Sequence, residues 1–145
     1  MKRSVIANTM ARLIFHSTIM LSLYLLFAGH NQPGGGFVGG LVCASGVAVY
    51  YVVGGIDDVR AVSRLAPWRI LGSGLALATG AALVPLALGG AVLEAGVVTL
   101  HAPFGEIKAS STLVFDTGVY AVVVGLIFMV FEAFGEEAAP EEASR

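Results

Sequence analysis

Long stretches of the chain carry no charge, and their apolar residues fall on every face rather than on one. Between Arg69 and Glu94 no residue is charged, which predicts a helix over 70–93, because crossing the hydrocarbon takes roughly 20 mostly apolar residues. A second uncharged run covers 37–56 and stops at Asp57. A third covers 13–29, between Arg12 and His30, with room to begin nearer Ser4 if the helix tilts. The fourth, 113–134, carries Asp116 near its start and Glu132 near its end. Strands of a lipid-facing barrel would alternate polar and apolar positions, and these runs do not. The pattern predicts an all-α membrane protein with four transmembrane helices in one domain, 1–134. The acidic tail at 135–145, GEEAAPEEASR, is expected to be disordered.

Composition agrees. Of 145 residues 57% are hydrophobic and only 12% charged, about half the charged share of a soluble domain. So few polar groups cannot cover the surface of a small soluble protein. That excludes an ordinary cytosolic enzyme and a disordered chain, and the net charge of −2 excludes the basic footprint of a nucleic-acid binder. The one cysteine, Cys43, rules out a disulfide framework or a cysteine-based zinc site. Lys2 and Arg3 ahead of an apolar stretch have the look of a signal peptide. Three further spans follow, however, so the first segment is expected to stay as a helix. Lys2, Arg3, Arg12, Arg60, Arg64 and Arg69 would lie on one side of the membrane and only Lys108 on the other. That bias places both termini in the cytoplasm.

Helices in lipid associate through close packing of small residues. Gly36, Gly40, Ala44 and Ala48 in the second span, Gly72, Ala76 and Gly80 in the third, and Gly118, Ala121 and Gly125 in the fourth form such stripes. Pro85 removes a backbone donor inside the third span and should bend it. Between the third and fourth spans, 97–100 and 106–108 flank Pro103, Phe104 and Gly105 and are compatible with a small extracytoplasmic hairpin.

Candidate chemistry is sparse. The segment 29–40, GHNQPGGGFVGG, is glycine-rich, but no Lys-Ser/Thr follows as a phosphate-binding loop requires. Pro33 ends one helix and Gly34, Gly35 and Gly36 allow a tight re-entry. His30 sits at this turn, either bonding the loop or exchanging a proton. His16 lies within the first span near one end, and ionisable groups at depth mark functional sites. Asp116 is the strongest candidate, with Thr112 and Tyr120 at a spacing of four on the same helix. It suits a proton or cation relay, or else caps the fourth helix or meets a partner's backbone. Glu132 is expected to be solvated. Glu94, His101 and Glu106 have no metal-ligand spacing, no cofactor is implied, and no nucleophile–base pair points to an enzyme.

Two separated motifs carry a resemblance. GHNQPGGGFVGGL at 29–41, followed by STLVFDTGVYAVVVG at 111–125, resembles the MnhB (or MrpB) family of subunits of the Mrp-type multisubunit cation/proton antiporters, over nearly the whole chain. His30, Pro33, Gly34, Gly35, Gly36 and Phe37 match the first motif; Phe115, Asp116, Gly118 and Tyr120 match the second. The resemblance implies an accessory, multi-pass subunit of a bacterial or archaeal plasma-membrane complex that exchanges cytoplasmic sodium for external protons. Its partners would be the other membrane subunits, and it would be needed for assembly without being a complete transporter. Two other readings stay open: an independent small oligomeric cation/proton transporter, and a purely structural subunit of a related hydrogenase-type membrane complex.

Overall fold

The structure, a computed structural model, describes residues 5–29, 34–62, 65–87, 97–102 and 105–142. Its elements are α1 (Val5–Ala28), α2 (Gly35–Gly54), a short α3 (Ile56–Val62), α4 (Pro67–Ala87), β1 (Val97–Ala102), β2 (Gly105–Ser110) and α5 (Ser111–Glu142). Four of the helices, Val5–Ala28, Gly35–Gly54, Pro67–Leu86 and Ser111–Gly135, are long and apolar enough to cross a membrane. The expected four-span, all-α class therefore holds. The two strands form an antiparallel hairpin between the third and fourth spans, pairing Val97 with Ser110 and Ala102 with Gly105.

Several boundaries differ from those expected, each for a local reason. α1 begins at Val5 rather than 13, because arginine interrupts a hydropathy run without disfavouring helix. α2 starts and ends two residues early. It closes at Gly54, where Gly55 takes φ 77° and donates its N–H to the Tyr51 carbonyl at 2.8 Å, a left-handed stop that favours glycine. α3 has no counterpart in the hydropathy pattern; Asp57 and Asp58 in its first turn and Arg60 in its last complement the helix dipole. α4 opens on Pro67, a residue suited to the first helical position; the remainder of the third expected span, 88–93, lies outside the described residues. α5 runs on to Glu142, into the segment set apart as the acidic tail. Glutamate and alanine are good helix formers, and extending an existing helix costs no nucleation.

Among the described residues the spans do not close into a bundle. α1 packs on α2, α2 on α5 and α5 on α4, with only marginal contact between α1 and α5. Among the described residues the order is a row, α1–α2–α5–α4. Glycines set its seams by letting backbones approach. A Cβ at Gly46 would lie 3.0 Å from the Thr18 side chain across the α1–α2 seam, and one at Gly40 would lie 2.8 Å from Val123 across α2–α5. At α4–α5 the crowding is against backbone: a Cβ at Gly118 would come 2.6 Å from the Ala78 nitrogen, and one at Gly125 2.6 Å from the Leu71 nitrogen. The stripe expected on the third span is thus displaced. Gly74 and Ala78 meet α5, whereas Gly72 and Gly80 have nothing within 4 Å among the described residues and Ala76 is exposed.

At the end where α3 lies, Val59 joins Cys43, Val47 and Phe128 in a buried apolar cluster. Glu132 is not simply solvated: its Oε1 lies 3.5 Å from Arg60 Nε, tying α3 to α5.

Candidate functional site at the junction of α1, α2 and α5

The first turn of α2 and the first two turns of α5 meet at the ends of these helices away from α3. Gly35, at φ 89°, is in the left-handed region, which glycine enters without a steric penalty. A Cβ there would lie 3.3 Å from Asp116 Oδ2, and one at Gly36 would run into the Asp116 backbone carbonyl. Both glycines are buried. The run of glycines is therefore required by two features at once, a turn and the close approach of Asp116. Gly34, at the N-cap of α2, supplies no side-chain cap, and Asp116 lies against that first turn. A carboxylate beside a helix N-terminus is stabilised by about 0.3–1 kcal/mol, more when partly buried. Asp116 is half-buried and sits beside α2 in the second turn of α5, past the position from which it could cap its own helix.

One turn further along α5, Tyr120 contributes to a buried polar cluster. Its hydroxyl lies 2.9 Å from Ser22 Oγ, and Ser22 in turn donates to the Gly39 carbonyl at 2.8 Å. Ser22 is fully buried, and Gly39 makes room: a Cβ there would stand 2.9 Å from the Ser22 carbonyl and 3.4 Å from the Tyr120 ring. The cluster links α1, α2 and α5 through polar groups that lipid cannot satisfy. Ser22 does not stand out in the sequence, where it is a single small residue between leucines.

The remaining candidates separate. Thr112 shares the helix of Asp116 and Tyr120 and is exposed. Phe37 is 57% exposed on α2, Phe115 is half-buried, and Gly118 is buried against Ala78. His16 is exposed on α1, with its Nδ1 2.7 Å from the Arg12 carbonyl. His30 and Pro33 lie outside the described residues.

This geometry gives structural meaning to the two motifs: the glycines of the first receive the aspartate and tyrosine of the second. Residues 6–129 match the family model described as a domain related to the MnhB subunit of the Na+/H+ antiporter. The chain belongs to the MnhB family. It is 32% identical over 133 residues to the Na(+)/H(+) antiporter subunit designated B in Bacillus subtilis, covering 91% of this chain and 93% of the relative. The corresponding protein of Alkalihalophilus pseudofirmus is also 32% identical, over 137 residues, with 92% and 93% covered. Among solved structures, the Mrp complex of Dietzia sp. DQ12-45-1b contains a chain similar at TM-score 0.72 and 32% identity. The match covers 90% of this MnhB chain but 14% of that one, so the similar region there is part of a far longer polypeptide.

Proposed function

We propose that this MnhB-family protein is an accessory subunit of a plasma-membrane assembly that exchanges sodium for protons. It contributes spans and part of a polar lining without forming a complete path. The observation that carries this reading is the row arrangement. A path needs walls on every side, and α1–α2–α5–α4 encloses none; no span is more than 44% buried within the chain. Its role is that of a secondary-transporter component and not of an enzyme. The topology follows the charge bias. With Arg12 now inside α1, Lys2, Arg3, Arg60, Arg64 and Arg69 still outnumber Lys108, which favours cytoplasmic termini.

Asp116 and Tyr120 are the chain's own contribution to an ion path in this reading, with Gly35 and Gly36 admitting the carboxylate to the α2–α5 junction. A carboxylate held at a helix terminus inside a membrane is costly unless used or compensated. The test is Asp116→Asn in the assembled complex. Sodium-dependent proton exchange should fall while all subunits still co-purify. Unchanged rate and pH dependence would reduce the aspartate to a packing element.

A further inference from the structure

α1 presents a polar flank that no other part of this chain covers among the described residues. Asn8, Arg12 and His16 recur at a spacing of four, which puts them on one side of a helix, and Arg12 and His16 are exposed. The start of α1 at Val5 changes what this flank means, because His16 becomes the twelfth of 24 residues. The hydrocarbon takes roughly 20 of them at 1.5 Å each. Whichever 20 are chosen, His16 stays about 10 Å or more from either boundary, too deep for an imidazole to reach the headgroups.

Its chemistry is partly fixed. A carbonyl oxygen only accepts, so the 2.7 Å contact with the Arg12 carbonyl requires Nδ1 to carry a hydrogen. Nε2 is then the atom turned to the outside. Phe15, in edge contact with the His16 ring at 5.7 Å between centroids and packed on Tyr50 at 5.1 Å, holds the imidazole at the border of the α1–α2 seam. One turn away, the Arg12 guanidinium meets no carboxylate among the described residues; the ion pair between Arg60 and Glu132 lies on other helices. Cationic and ionisable groups at this depth turn towards partners rather than acyl chains.

We propose that this flank of α1 docks on a transmembrane helix of a neighbouring subunit, and that the docked helix brings a carboxyl group to Arg12 and His16. The charge dictates the partner. A carboxylate neutralises the guanidinium, and between that carboxyl group and Nε2 a single proton serves both. The inference rests on the assembly described under the proposed function.

The test uses the whole complex purified through a tag on this chain. A photo-crosslinking amino acid at Met20, one turn beyond His16 and 75% exposed, should form an adduct with a membrane-spanning peptide of another subunit that contains Asp or Glu. Arg12→Glu should lower recovery of that subunit by roughly an order of magnitude or more, and exchanging the partner's acid for Arg should restore it. Adducts with lipid alone, or with a peptide lacking an acid, overturn the proposal; so does full recovery of the subunit with Arg12→Glu. If the unaltered chain brings down no antiporter subunits, the functional reading itself fails and this inference falls with it. If they co-purify and Met20 labels only lipid, the docking flank alone is wrong.

Discussion

Gly118 and Gly80 look alike in the sequence, yet alanine at the two sites should act in opposite directions. At Gly118 the new methyl would meet the Ala78 nitrogen at 2.6 Å and its Cα and Cβ at 2.9 Å. Ordinary contact begins near 3.4 Å, so α4 has to retreat by about 0.8 Å. The obstacle is helix backbone, which cannot rotate aside as a flexible side chain would, and overpacking of this kind costs about 1–3 kcal/mol. At Gly80 nothing among the described residues lies within 4 Å, and only the helix-propensity gain of about 1 kcal/mol for Gly→Ala remains. That gain is common to both sites, so the difference between the variants isolates the seam. It should be about 1–3 kcal/mol, or five- to over a hundred-fold in the folding equilibrium. The assay is a denaturing-detergent titration of the purified chain, followed by far-UV circular dichroism and by fluorescence of the single tryptophan, Trp68, on α4. A Gly80→Ala variant as destabilised as Gly118→Ala would refute the placement of the α4–α5 seam.

Other outcomes follow from the same geometry. Ser22→Ala strands the Tyr120 hydroxyl and should destabilise the chain by about 0.6–2 kcal/mol. Adding Tyr120→Phe should cost less than the sum of the two single changes, because both remove one bond; the same titration, run as a double-mutant cycle, measures it. Gly36→Ala drives a methyl into the Asp116 carbonyl and should destabilise by more than Gly118→Ala, whereas Gly72→Ala, with open space around it, should be neutral or mildly stabilising. Glu132→Gln breaks a partly exposed ion pair with Arg60 and should change stability by at most about 1 kcal/mol, an effect that added salt should shrink.

Composition makes some features of this chain readable from its sequence, and the direction of side chains hides others. Four spans are legible because each run is long and apolar, and the hairpin because β-compatible pieces flank Pro103, Phe104 and Gly105. Helix faces are harder. Gly72, Ala76 and Gly80 repeat every four residues, but so do Gly74 and Ala78, and spacing alone cannot tell which set meets a neighbour. Thr112, Asp116 and Tyr120 share a stripe by spacing, yet Asp116 approaches Gly35 and Tyr120 bonds Ser22 while Thr112 stays exposed. Charge misleads at both ends of the chain. Arg12 and the tail glutamates read as limits of order, although both residue types favour helix. His16 then looks peripheral when it lies at the middle of α1. Ser22 is invisible because its importance comes entirely from Gly39 and Tyr120, 17 and 98 residues away.

Liposomes offer the most direct measurement. The complete antiporter assembly, the assembly lacking this chain, and the chain alone are each reconstituted with a pH-sensitive dye, and a sodium gradient is applied. A four-helix row that lines only part of a path predicts sodium-driven proton movement in the first preparation, its loss in the second and none in the third, with activity returning when the chain is restored to the second. Sodium-dependent proton flux from the chain by itself, or full activity in its absence, would contradict the account.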